Sequence, residues 1–349
     1  MGNADGDYSR RAKPGCRILQ DKEPVWLQIV AVNSFLVEKV ATGRDVTLAP
    51  FTGEWHDTPE PALTAASRNA SEEFMMEPAQ IVHRQIWRES GLTLGSRSIP
   101  EETAVALTYN GGTYAVMMTT PQDLEDFAVG FSLSEGVISS SADIDSLDIM
   151  RLADGFELRM WLSKPKADRL QDRRRHIAGP TGCGLCGIDS IAEAMRPAAV
   201  VGRHGRQFSS ERIMAAMQKL RLLQKLNIET RAVHAAALWD FTSGIVALRE
   251  DVGSHNALDK LSGALAHASV VANNGIILLT SRISVETVQK SAVIGAPVMV
   301  SVSAPTALAV RMADAAGIPL AAIARADGLE VFTHPYRISS EAVVNVASQ

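Results

Sequence analysis

The stretch Ile276-Ile277-Leu278-Leu279-Thr280-Ser281-Arg282-Ile283-Ser284 decides the class of fold. Four apolar residues in a row, without polar alternation, mark a strand covered on both faces; a half-exposed strand would alternate. Thr280 to Ile283 then turns the chain, and Ser284 is a good N-cap, so strand Ile276–Thr280 feeds a helix from Ser284 to Ile294. The pattern repeats in strand Val298–Val302, followed by Ser303-Ala304-Pro305 and a helix that stops at Gly317. Buried strands alternating with helices predict a layered α/β fold, a sheet with helices packed against it.

Working outward, Val233–Trp239 and Ile245–Glu250 read as strands around Ser243-Gly244. A helix over Ser209–Leu226 carries Ile213, Met217, Leu220 and Leu223 on one stripe, and another carries Leu258, Leu261 and Leu265. Further upstream, strands Ala104–Thr108 and Tyr114–Met118 flank the turn Asn110-Gly111-Gly112. Thr120 as N-cap and Pro121 at the first helical position open a helix with Leu124, Phe127, Phe131 and Leu133 on its apolar face, ended by Gly136. A second hairpin turns at Asp154-Gly155, and its return strand alternates Phe156, Leu158, Met160 and Leu162. These pieces predict a smaller N-terminal β-hairpin/helix subdomain, with residues 96–340 forming the folded unit. Residues 1–95 show no settled period, and Pro50–Glu73 is rich in Pro, Thr, Ser and Glu; they read as a partly disordered extension.

Of 349 residues, 46% are hydrophobic and 21% charged, with a net charge of −5. Mild acidity argues against bulk nucleic-acid binding. Three cysteines are too few for a disulfide scaffold and fit a reducing compartment. No basic-then-apolar leader opens the chain, and the stretch Trp26–Val37 is too short and too interrupted to span a bilayer. The expectation is a cytoplasmic protein without nucleic-acid or membrane partners.

Thiol chemistry has essentially one address, Thr181-Gly-Cys183-Gly-Leu-Cys186-Gly187, since the remaining cysteine, Cys16, lies near the start of the chain. A CxxC pair binds metal, cycles as a disulfide or carries sulfur. Three glycines make the loop accessible, and the short helix that follows (Ile188–Met195) together with Arg173-Arg174-Arg175-His176 just upstream favours the thiolate. Zinc needs three or four ligands, and there is no second CxxC. Nucleobase deaminases pair H-x-E with P-C-x-x-C, whereas Pro180 is not adjacent to Cys183, and His234 is followed by three alanines. That argues strongly against deaminase chemistry without excluding the fold. Disulfide cycling and sulfur carriage stay open on the residues alone. Two further segments are candidate ligand sites. In Arg249-Glu250-Asp251-Val252-Gly253-Ser254-His255-Asn256-Ala257-Leu258-Asp259-Lys260 a strand ends and a helix opens, offering free backbone N–H groups to an anion. The plainer reading is an ordinary cap at Ser254 with surface charges at Asp259 and Lys260. In Thr280–Ser284, at the carboxyl end of a buried strand, Arg282 suits phosphate or carboxylate.

Several ordered motifs together resemble the formate dehydrogenase accessory sulfurtransferase (FdhD) family: PQDLEDFAVGFSLSEGVI at 121–138, RRRHIAGPTGCGLCG at 173–187, HAAAL at 234–238, REDVGSHNALDKL at 249–261, TSRIS at 280–284 and VQKSAVIGAP at 288–297. The resemblance implies a homodimer with a core similar to the cytidine-deaminase fold. It implies a sulfurtransferase that takes sulfur from a cysteine desulfurase as a persulfide on Cys183, with Cys186 its neighbour. The sulfur is passed to the molybdenum of bis-molybdopterin guanine dinucleotide, a bound substrate rather than a permanent cofactor, for the catalytic subunit of formate dehydrogenase. The family's cofactor-binding stretch falls on Ile323, Ala324, Arg325, Ala326, Asp327 and Gly328; His234, His255 and Arg282 are further cofactor-binding candidates, and no metal site is expected. A non-catalytic cofactor chaperone, or a CxxC redox or zinc protein, are the competing readings. Two departures stand out: Ser254 where the family usually has Arg, and Arg231-Ala232-Val233 where it usually has small glycine-type residues. Arg231 and Arg282 are the candidates to supply the missing charge.

Overall fold

Alternation within the apolar strands sends successive side chains to opposite faces of one sheet, and each face has its own helices. A computed structural model describes residues 76–167, 195–201 and 207–340, and beyond these only the backbone of three short strands, Arg17–Ile18, Ile29–Val32 and Phe35–Glu38. The elements used below are strands β1 (Ala79–Arg88), β2 (Gly91–Pro100), β3 (Thr103–Tyr109), β4 (Gly112–Thr119), β5 (Ile144–Leu152), β6 (Gly155–Leu162), β7 (His234–Asp240), β8 (Gly244–Asp251), β9 (Gly275–Leu279), β10 (Val298–Ser301), β11 (Leu320–Arg325) and β12 (Gly328–Val331). The helices are α1 (Leu124–Ser134), α2 (Ser210–Leu223), α3 (Lys225–Thr230), α4 (Ser254–His267), α5 (Val285–Ile294) and α6 (Ala307–Ala315).

The larger sheet has the order β8-β7-β9-β10-β11-β12, parallel through β9, β10 and β11 and antiparallel elsewhere. Ala236, Leu238, Ile277, Leu279, Met299 and Leu320 face one core with Leu258, Leu261, Val288 and Ala309 from α4, α5 and α6. Their strand neighbours Ala235, Ala237, Ile276, Leu278, Val298 and Val300 face the other core with Ile213, Met217 and Leu220 from α2. The expected sheet covered on both faces is therefore present.

The smaller sheet runs β5-β6-β3-β4, with β3 and β6 parallel, both hairpins antiparallel and the short strand Arg17–Ile18 parallel to β5 at its edge. Asn110 and Gly111 take the positive φ values (49° and 80°) that a two-residue turn needs. Phe156, Leu158, Met160 and Leu162 pack with Val105, Leu107, Phe127 and Phe131 under α1. The two halves meet where α1 crosses α4. Gly130 and Gly263 face the opposing backbones so closely that a Cβ there would lie 1.7 Å and 1.9 Å from the carbonyl oxygens of Asp259 and Asp126. Only glycine permits that crossing.

Thr120 does not cap α1, as the sequence pattern predicts. The helix begins at Leu124 after a left-handed Asp123, while the Thr120 hydroxyl accepts from Val252 N–H at 3.0 Å. A long-range bond between the two halves outcompetes the local cap. Ser254 likewise is the first residue of α4, and Gly253 is its N-cap. Residues 79–100, partly inside the stretch read as an extension, form the hairpin β1–β2, so the expected boundary at residue 95 falls within β2. No described helix is long and apolar enough to cross a membrane.

Candidate functional site

At the carboxyl ends of β9 and β10 lies a cleft of about 390 Å³, lined by His234, Ser254, His255, Thr280, Ser281, Arg282, Ser284 and Ser303. Topology explains the gathering. His234 opens β7, which is antiparallel to β9 and so starts where β9 ends. Thr280–Ser284 links β9 to α5, and Ser303 links β10 to α6. The two loops are stitched together, Ile283 N–H donating to Ala304 O at 3.3 Å and Thr306 N–H to Ile283 O at 3.0 Å. The first turns of α4 and α5 both open onto the cleft, adding their N-terminal partial positive charge to that of Arg282. Carboxyl ends of parallel strands are where α/β proteins commonly hold ligands.

Two histidines differ in setting. His255 is pinned at both ring nitrogens, Nε2 to Ser284 Oγ at 3.1 Å and Nδ1 to Glu286 Oε2 at 3.2 Å. Glu286 in turn lies 3.6 Å from the buried ammonium of Lys290, which is held by Asp259 at 2.7 Å. His234 has its proton affinity lowered, first by burial and then by the neighbouring His255, with Asp251 opposing. The cleft thus holds an exposed guanidinium, one oriented imidazole and one imidazole biased to the neutral form. It is equipped to bind an anionic, oxygen-rich ligand.

The Ile323–Gly328 stretch approaches the same end of the sheet. Ile323 N–H donates to Ser303 O at 3.2 Å, at a bulge where pairing skips from Ala322 to Arg325. Ile323 itself has φ of 51°, a conformation a β-branched side chain rarely adopts and which costs about 1–3 kcal/mol. Arg325, Ala326 and Asp327 are exposed in the following turn, and Gly328 supplies its positive φ. Ala324 is 2% exposed, its side chain in the core that α2 covers. Arg231 is exposed, closes α3 in a left-handed conformation and is not among the cleft residues; Arg282 is. Cys183 and Cys186, with the basic run Arg173–His176, lie outside the described residues.

The motif at 249–260 proves mostly architectural. Arg249 pairs with Asp126 at 2.6 Å, and Glu250 accepts from Leu226 and Asn227 N–H at 2.9 Å each, capping α3. Asp251 pairs with Lys260 at 2.6 Å, both side chains inaccessible to solvent. Asp259 and Lys260 are not surface charges. α4 is covered on several sides, by the large sheet, α1 and α5, so its one apolar stripe understates its burial. Glu286 acquires a role that only the tertiary arrangement reveals.

The model of the FdhD/NarQ family matches residues 100–339. The chain belongs to the FdhD/NarQ family. Among its relatives, the sulfur carrier protein FdhD of Agrobacterium fabrum is 48% identical over 257 residues, covering 74% of this chain and 95% of that protein. The sulfur carrier protein FdhD of Cupriavidus necator is 49% identical over 257 residues, covering 73% and 88%. A crystal structure from Desulfotalea psychrophila, described as a formate dehydrogenase accessory protein, superposes with a TM-score of 0.61 at 23% identity. It covers 75% of this chain and 100% of that one, which places the two in the same fold.

Proposed function

We propose that the chain is a sulfur carrier serving formate dehydrogenase, taking sulfur as a persulfide on Cys183 and delivering it to the metal of bis-molybdopterin guanine dinucleotide. The observation that carries this reading is the cleft itself. Arg282, two helix N-termini and the serine loops stand at the carboxyl ends of β9 and β10, a setting for the pyrophosphate of a dinucleotide. Membership of a family whose relatives are named sulfur carriers supports the thiol half of the proposal. The core is proposed to be of the cytidine-deaminase type, the protein a cytoplasmic homodimer, and a cysteine desulfurase its donor.

The chemistry follows from the residues. The Cys183 thiolate attacks the terminal sulfur of a donor persulfide; the donor S–S bond breaks, the donor thiolate leaves, and Cys183 carries the outer sulfur. The described chain resumes beyond the cysteine loop at Met195, and Arg196 O accepts from Gln289 Nε2 at 2.7 Å. Gln289 is five residues along α5 from Ser284, roughly 7.5 Å. Cys183 precedes Arg196 by 13 residues in the sequence, so the cysteine segment joins the described chain within two turns of α5 from the cleft. Release occurs by attack of the Cys186 thiolate on the inner sulfur, which breaks the persulfide S–S bond, expels hydrosulfide for the acceptor and leaves a Cys183–Cys186 disulfide for a cellular dithiol to reduce.

Complementation tests the reading. A strain lacking the protein loses formate dehydrogenase activity, wild type restores it, and Cys183→Ala does not. Retained activity in the deletion strain, or full rescue by Cys183→Ala, contradicts it.

A further inference from the structure

The hairpin β1–β2 pairs residue for residue from Ala79↔Pro100 to Arg88↔Gly91, and none of its side chains enters any of the three cores of the described residues. Its side-chain bonds to the body lie near its base, where Arg97 donates to Thr230 O at 3.0 Å and Ser98 Oγ to Glu229. A lone two-stranded ribbon is marginal in water and needs a cover.

The register shows which face needs it. Ile81, His83, Gln85 and Trp87 share a face with their partners Ser98, Ser96, Leu94 and Leu92. Arg84, Arg88 and Arg97 all project from the opposite face, together with Val82 and Ile86. On the first face Ile81 and Trp87 are 75% exposed, Leu94 79% and Leu92 47%; the ribbon itself places no acidic, Arg or Lys side chain among them, and the nearest carboxylate is Glu229 of α3, bonded to Ser98 at the Ile81 end. Trp87, Leu92 and Leu94 form one exposed apolar patch toward the tip, with Ile81 set apart by His83 and Ser96, and an exposed patch of this kind marks an interaction site.

The relatives narrow the choice of cover. A match of 257 residues leaves 92 of the 349 outside it, so it reaches back at least to residue 93, into β2. Yet it already uses 95% of the Agrobacterium protein, which has little chain left to correspond to residues 1–75. A cover supplied by residues 1–75 would be missing in relatives that share this part of the ribbon, whereas a second copy is available to all of them. Segregation of the arginines also lets two like faces meet without bringing like charges together.

We infer that the apolar face of the β1–β2 ribbon is where two copies of this chain associate, Ile81, Trp87, Leu92 and Leu94 of each packing against the other about a two-fold axis. This gives the homodimer of the proposed function its surface; it rests on that reading for stoichiometry alone.

Analytical ultracentrifugation of the full chain at micromolar concentration is the test. Wild type sediments at twice the 37.5 kDa chain mass. Trp87→Ser/Leu94→Ser raises the dimer dissociation constant roughly 30-fold or more, with circular dichroism unchanged, because buried aromatic and aliphatic anchors dominate such contacts. Ile81→Ser weakens the dimer less, and Arg84→Ser on the opposite face leaves it intact. A monomeric wild type, or a double variant as dimeric as wild type, overturns the inference. So does a monomer whose ribbon gains hydrogen exchange when residues 1–75 are removed, which assigns the cover to that segment. Sulfur loading of Cys183, read in the same samples, reports on the sulfur-carrier reading separately.

Discussion

Replacing Asp251 by Asn tests the joint between the two halves. Its carboxylate receives five donors: Thr119 Oγ1, Thr120 N–H at 3.0 Å and Lys260 Nζ at 2.6 Å on Oδ2, and Gly253 N–H at 2.7 Å and Asn256 Nδ2 at 3.1 Å on Oδ1. Thr119 ends β4 and Thr120 follows it, Asp251 ends β8, and Lys260 rides on α4, so one side chain links three elements. Lys260 depends on it more than the reverse. Burial depresses the proton affinity of Lys260, and without the carboxylate its ammonium keeps only Thr120 O at 2.9 Å. Asp251→Asn strands a buried cation and turns an amide N–H toward existing donors; removing one partner of a buried pair costs about 3–5 kcal/mol. Lys260→Met leaves the carboxylate four donors and costs about 2 kcal/mol, the loss of one charged hydrogen bond. Urea denaturation of the full chain separates the two through the midpoint at constant slope. Equal losses, or a loss below about 1 kcal/mol for Asp251→Asn, would refute the reasoning.

Gly130→Ala sets a methyl 1.7 Å from Asp259 O and destabilises by about 3 kcal/mol in the same assay, although Gly→Ala in an open helix stabilises; a gain would show that α1 and α4 do not cross there. His267 bonds Asp126 at 2.8 Å, and its pKa is raised chiefly by that bond. Burial opposes the lowering of Asp126, but His267 and Arg249 outweigh it. A raised histidine contributes stability that is full below its unfolded value of about 6.5 and lost as pH rises through the higher folded value; a lowered aspartate contributes stability lost as pH falls through its folded value. Melting temperature therefore falls on the alkaline side of about pH 6.5 in wild type, and His267→Gln flattens that limb; an unchanged profile contradicts the pairing. Arg282→Ala raises the dissociation constant for guanosine diphosphate about tenfold or more by calorimetry, whereas unchanged affinity places the nucleotide elsewhere.

The strands of the large sheet were legible because burial on both faces demands apolar residues at every position, as in Ile276–Leu279. Turn chemistry at Asn110-Gly111 and capping at Ser284 were equally local and equally readable. Capping at Thr120 was not, since its competitor, the Val252 N–H, lies 132 residues away in the chain. The buried pairs Asp251–Lys260 and Asp259–Lys290 look like solvated helix charges in one dimension; their partners come from other strands and helices. Of the candidate site, Arg282, His234 and His255 were identifiable individually. Their convergence is a property of the tertiary arrangement: β7 runs against β9 and so brings in His234, β10 runs parallel to β9 and brings in Ser303, and the first turn of α5 carries Glu286 to His255. The ribbon β1–β2 escaped detection because its apolar residues fall on both faces, Ile81 beside Val82 and Ile86 beside Trp87, so no period-2 alternation marks a strand.

Mass spectrometry of Cys183 tests the central claim most directly. The full chain is incubated with a cysteine desulfurase and cysteine, then digested without reductant. The account predicts one added sulfur on the Cys183 peptide, absent in Cys183→Ala and lost when an acceptor is supplied. An unmodified Cys183, under conditions that load a known sulfur acceptor, would contradict it and leave the chain a binder of the cofactor rather than a carrier of sulfur.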